Sequence, residues 1–131
     1  MRFPFLEIVG DPPALARPAV PVIVEELEDR PQVCLVDTGT VNNRFAAWLA
    51  DTVGIDLVGA PEDRVVVAGV FTTAKHARAA LTIGGTRYDA PVTSCEPWPF
   101  AFHLLGLEGF FRFFRVTICA AESWLEIERE A

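Results

Sequence analysis

Apolar residues fall along this chain in short bursts rich in β-branched side chains, set apart by glycine, proline and acidic turns. That rhythm predicts strands rather than long helices. Phe3 to Val9 predicts a first strand, ended by Gly10-Asp11-Pro12-Pro13. Ala19 to Glu26 predicts a second, closed by the turn Glu28-Asp29-Arg30-Pro31. Val33 to Val36 is a continuous apolar run, the pattern of a strand buried on both faces. The period then changes: Phe45, Trp48, Leu49 and Thr52 or Val53 recur at helical spacing, with Asn42 or Asn43 as cap and Gly54 as terminator. Arg64 to Phe71 and Ala77 to Ile83 predict two strands with Thr72-Thr73-Ala74-Lys75-His76 between them. Gly84-Gly85 predicts a tight turn into Thr86 to Val92. Pro97-Trp98-Pro99 breaks the pattern, Leu104 to Phe114 suits a short helix, and Phe113 to Cys119 and Trp124 to Glu128 predict the last strands. The sum is a mainly β chain with one or two short helices.

At 131 residues, with 51% hydrophobic and 22% charged residues, the chain is expected to form a single globular domain over 1–131. A formal net charge of -7 disfavours nucleic acid and anionic membrane as partners. No apolar run approaches the length of a membrane span. The start, Met1-Arg2-Phe3-Pro4-Phe5 followed by Glu7, makes a poor signal peptide, so a cytoplasmic protein is expected. Cys34, Cys95 and Cys119 lie far apart, as reduced and mostly buried thiols do. His76 and His103 have no cysteine at metal-ligand spacing, and no metal or other cofactor is expected.

The candidate chemistry is concentrated at one turn. The run Val33-Cys34-Leu35-Val36 delivers Asp37 onto Thr38-Gly39-Thr40. A carboxylate at the end of a buried strand is costly unless it is hydrogen-bonded or used. Gly39 suits a tight turn because it tolerates positive φ and lets another backbone come close. The structural alternative for Asp37 is an ordinary turn or capping acid.

The order of elements resembles the retropepsin-like aspartic proteases. In that family an Asp-Thr-Gly turn follows a strand, and late in the chain two apolar residues and a glycine precede a helix. Here Asp37-Thr38-Gly39 matches the first motif and Leu104-Leu105-Gly106 the second, over about Ala19 to Ile127. Leu107 and Glu108 stand where retroviral members usually carry an arginine or similar polar residue, then Asp or Asn. The segment Leu15 to Pro21 has no evident counterpart. The resemblance implies a closed acid-protease barrel with one lobe per chain, and an aspartic endopeptidase acting on peptide or protein substrates. It also implies a flap, placed on the hairpin from Gly69 to Arg78. Gly69, Val70, Phe71, Thr72 and Thr73 are its candidate substrate contacts, with Thr72, Thr73 and Ala74 at the tip. Arg44 is a further candidate for the substrate pocket.

Peptide hydrolysis by this route uses two carboxylates about 3 Å apart that share one proton and grip one water. The chain holds one Asp-Thr-Gly; Asp51, Asp56, Asp63 and Asp89 lie in turn-like or polar contexts. A homodimer would supply the second acid, with Thr38 bonded across the axis, Thr40 donating to Asp37, and an acid-shifted optimum. The end strands, Phe3 to Ile8 and Trp124 to Glu128, are the candidates for the dimer sheet. Two rival readings are a dimeric binding module without turnover, and a phosphatase-like enzyme with Asp37 as nucleophile. The second lacks an alternating βα pattern and finds only Lys75 as a lysine in the whole chain.

Overall fold

A computed structural model describes residues 1–8 and 15–130. Among these residues twelve strands and two short helical segments follow one another. β1 (Arg2–Pro4) and β2 (Leu6–Glu7) take the place of the single expected N-terminal strand. Between them the Phe5 N–H turns away to Ser123 O at 2.9 Å, and Pro4 has no N–H to donate. The expected break at Gly10-Asp11-Pro12-Pro13 lies outside the described residues. β2 pairs with β3 (Ala16–Arg17), the start of the stretch without an evident family counterpart.

β4 (Ala19–Val24) and β5 (Gln32–Val36) form an antiparallel pair. β6 (Arg44–Ala46) leads directly into α1 (Ala47–Val53). β7 (Glu62–Val67) and β8 (Val70–Ile83) form a hairpin, and β9 (Thr86–Glu96) returns along β8. β10 (His103–Leu105) runs parallel to β5, followed by a π-helical turn, Leu107–Phe111. The strand order is β4-β5-β10-β6-β9-β8-β7, and β4 also pairs with β8. That last pairing closes β4, β5, β10, β6, β9 and β8 into a barrel, as the resemblance implied, and leaves β7 as the outer arm of its hairpin. Val20, Val22, Cys34, Leu81, Ala90 and Leu105 fill the interior with Phe110 and Phe114.

Three local expectations are corrected. The helix starts at Ala47, three residues beyond Arg44, because Asn43 is wholly buried and hydrogen-bonds across the core instead of capping. Its first N–H groups gain an acceptor from elsewhere: the Ala46 N–H donates to His103 Nδ1 at 3.2 Å. Gly54 does end the helix, at φ 80° with its N–H on Ala50 O. Second, Thr72-Thr73-Ala74-Lys75-His76 is not a connection between two strands; it is the middle of β8. Thr72 and Ala74 point inward and Lys75 outward, so the period of two survives with small residues on the buried face. Third, Leu104 and Leu105 belong to a strand, and only the following five residues wind helically.

The chain ends meet. β1 pairs with β12 (Trp124–Arg129), and β12 with β11 (Phe114–Cys119). The Met1 ammonium donates to Ile127 O at 2.8 Å, and Arg2 lies over the Trp124 ring at 3.7 Å. The end strands thus pair with each other within one chain.

Candidate active site

β5 and β10 run side by side, with Cys34 opposite His103, Leu35 opposite Leu104 and Val36 opposite Leu105. The two motifs of the sequence therefore emerge together. At the end of β5 the Asp37 N–H donates to Leu105 O at 3.0 Å, so one ladder bond joins them. Asp37 is half-buried, Thr38 and Gly39 are exposed and Thr40 is half-buried. Asp37 Oδ1 accepts the Gly39 N–H at 2.8 Å, which fixes the carboxylate over its own turn.

Gly39 does not adopt positive φ. Its value is space: a Cβ there would meet Asp37 Oδ1 at 3.0 Å. Thr40 Oγ1 donates to Asn42 O at 3.2 Å rather than to the Asp37 carboxylate. Gly106 marks a much tighter passage. A Cβ on it would lie 2.6 Å from Asn42 O and 2.7 Å from Thr40 O. The two turns are laced together there: Leu107 N–H donates to Thr40 O at 3.0 Å and Glu108 N–H to Val41 O at 2.8 Å.

Asn43 is the residue that sequence reasoning misplaced. Its Oδ1 accepts the Gly106 N–H at 2.9 Å, and its Nδ2 donates to Gly109 O at 2.9 Å and Pro91 O at 3.3 Å. Its own carbonyl accepts from the Thr93 N–H and hydroxyl at 2.9 and 2.7 Å. A buried amide with every group satisfied fixes both turns at once. A Cβ on Gly109 would occupy the space of that amide, which explains the second glycine in Gly106-Leu107-Glu108-Gly109.

A cavity of about 780 Å³ opens over Asp37. Its walls include Leu35, Gly39, Thr40, Arg44, Val66 and Val67, with Ala68 at one rim and Phe100 and Phe102 at another. The β7–β8 hairpin thus reaches the cavity with its own turn, Ala68-Gly69, and not with Thr72 to Ala74. Thr72 is buried and donates to Pro97 O at 2.9 Å. Phe71, one residue earlier, is 79% exposed. The turn has φ 50° at Ala68 and 78° at Gly69, the two-residue geometry that follows the right-handed twist of a hairpin. The second wall, Pro99 to Phe102, carries no motif; its only signal in the sequence is aromatic density. There Phe100 stacks on Phe102 at 4.6 Å between ring centres, and the Trp98 indole N–H closes the loop on Phe102 O at 2.8 Å.

His103 and Cys34, opposite each other on β10 and β5, supply no second nucleophile. His103 Nδ1 accepts from Ala46, and Nε2 lies 3.1 Å from Gln32 Oε1, so the ring is the tautomer protonated on Nε2. Burial pushes its pKa down to about 4. Cys34 is fully buried, and burial pushes its thiol far up. The two face different partners and form no Cys–His couple. Glu108, in the departing position of the second motif, turns to solvent and accepts from Arg112 at 2.9 and 3.1 Å, which holds its carboxyl below the usual range.

No protein-family model matches the chain, and no curated protein does. Solved structures do. The retroviral protease-like domain of Ddi1 from Leishmania major aligns with a TM-score of 0.64 at 16% identity, over 87% of this chain and 90% of that one. A retropepsin-like aspartic protease from Rickettsia conorii aligns with 0.61 at 15% identity, over 100% and 94%. The EIAV protease, in complex with the inhibitor HBY-793, aligns with 0.52 at 14% identity, over 73% and 86%. At such identities the likeness establishes the fold: this chain has the retropepsin-like acid-protease architecture.

Proposed function

We propose that a chain of this fold, carrying a single Asp-Thr-Gly turn, is one half of an aspartic endopeptidase. Asp37 and its copy in a second chain form the working pair. The observation that carries this reading is Asp37 itself: half-buried at a strand end, anchored by the Gly39 N–H, and set into the wall of a peptide-sized cavity. Two such acids about 3 Å apart cannot both ionise, so they share one proton. The charged member takes a proton from a water as that water attacks the scissile carbonyl. The neutral member donates to the carbonyl oxygen, and the pair then passes a proton to the leaving amine.

The exposure of Thr38 and Gly39 supports a symmetric approach of two turns, because nothing among the described residues covers them. The outer edges of β1 and β11 have no strand partner among the described residues, and a second chain would relieve both. The β7–β8 hairpin serves as the flap, with Ala68-Gly69 at its tip and, just beyond it, Phe71 on its exposed side and Val70 half-buried on the other. A binding module without turnover is the second reading, favoured by Glu108. That residue is committed to Arg112 at the surface and contributes nothing to the turn beyond its backbone N–H.

Molecular mass in solution and cleavage of a mixed peptide library, for wild type and Asp37→Asn, decide between them. The protease reading expects a dimer in both proteins and cleavage only in wild type. Equal cleavage by both proteins removes it, and a dimer in which neither cleaves leaves the binding module.

A further inference from the structure

Across β5, β10 and β6 one row of residues faces the cavity: Leu35, its neighbour Leu104, and then Arg44. Two positions of that row are apolar and the third is a guanidinium that is only 9% exposed. Charge in such a place is costly unless it is paired. Arg44 Nη1 donates to Thr93 Oγ1 at 3.2 Å, and the Cys95 thiol lies against the same group. Thr93 is neutral, and burial keeps Cys95 in its thiol form, so neither is a counter-ion. Among the described residues no carboxylate stands within ion-pairing distance of Arg44. Arg44 lines the cavity, and the planar fork of donors of a guanidinium matches a carboxylate. Among the described residues that line the cavity, Asp37 is the one acid.

We infer that Arg44 is a specificity-determining residue that selects an acidic side chain in an extended peptide, with apolar side chains on either side held by Leu35, Val66, Phe100 and Phe102. This rests on the cavity being the peptide site proposed above. The incoming carboxylate replaces water on a buried cation, so an isosteric amide, which brings no charge, gains little from the same contact.

The test uses binding, so that it stands apart from turnover. Full-length Asp37→Asn protein is titrated with fluorescent peptides in pairs that differ only by Glu or Gln at one position, scanned along the peptide. One position is expected to favour Glu by about tenfold or more. Arg44→Gln on the same background should bring that ratio near one, while Arg44→Lys keeps part of it. Equal binding of Glu and Gln at every position overturns the inference. So does a Glu preference that persists in a folded Arg44→Gln protein. Should Arg44→Gln fail to fold, the Glu/Gln ratio of the parent protein and its fall in Arg44→Lys decide alone. A clear Glu preference without any cleavage by wild type would keep this inference and remove the protease. Cleavage indifferent to Glu would do the reverse.

Discussion

Asn43 Oδ1 accepts the N–H of Gly106 at 2.9 Å, across 63 residues of sequence, and so couples the turn after β5 to the turn after β10. Replacing Asn43 by Ala would strand the Gly106 N–H in the interior, whereas Gly109 O keeps the Tyr88 hydroxyl at 2.9 Å. Such an orphan costs about 1–3 kcal/mol, and the lost side chain leaves a cavity besides. Urea unfolding should show Asn43→Ala losing about 2–4 kcal/mol. Asn43→Asp should lose at least as much, since its second oxygen would face Gly109 O and Pro91 O in place of a donor. A loss below about 1 kcal/mol in either variant would contradict this account.

The two motif glycines should fail in different ways. Gly106→Ala drives a methyl group into two backbone carbonyls, which cannot swing aside, and should leave little folded protein. Gly39→Ala meets only the Asp37 carboxylate, which can move. It should fold within about 1–2 kcal/mol of wild type, and on the proposed protease function it should lose peptide cleavage by about a hundredfold, because the acid is displaced. Thermal unfolding and initial rates, measured on the same preparations, separate the two effects.

His103 predicts a slope of stability with pH. Its folded pKa is about 4, below the ordinary 6.5, because burial disfavours the charged ring. The unfolded chain therefore binds the extra proton between these values, and stability falls as pH drops from about 6.5 to about 4. Below that range both states are protonated and this contribution no longer changes. The full effect is about 3 kcal/mol, read as urea midpoints at several pH values. His103→Leu should flatten that part of the curve. An unchanged slope in the variant would assign it to other groups.

Ala68 holds φ 50° at the turn of the β7–β8 hairpin, a conformation that costs a residue with a Cβ about 1 kcal/mol. Ala68→Gly or Ala68→Asn should therefore stabilise the hairpin by a few tenths to about 1 kcal/mol. Hydrogen exchange at the Val67 and Val70 amides is the local measure, and faster exchange in both variants would refute the prediction.

Much of the architecture was legible because the decisive signals are local. Val33 to Val36 could only be a strand, although it alternates instead of being buried on both faces: Cys34 and Val36 face the core, Val33 is exposed and Leu35 lines the cavity. Gly84-Gly85 could only be a turn, and the motifs at Asp37 and Leu104 occur in an order that few folds use. What was illegible depends on contacts between distant residues. Asn43 looks like a helix cap until Gly106 and Gly109 arrive to take its side chain. Thr72 to His76 looks like a loop because small and polar residues fill both faces of β8 where Pro97 and β9 pack against it. The hairpin turn was displaced from Ala68-Gly69 for the same reason. The aromatic wall at Phe100 and Phe102 has no periodicity to betray it.

The hydroxyl of Thr93 donates to the carbonyl of Asn43 and accepts from Arg44. One oxygen atom thereby joins the residue whose side chain pins the fold to the cation that lines the cavity. Changes in what the cavity accepts and changes in how well the chain folds cannot then be inherited separately at this spot. A Thr93→Val, Arg44→Gln double-mutant cycle should be non-additive in both unfolding and peptide binding. A lineage altering its preference here would have to repair its scaffold in the same step.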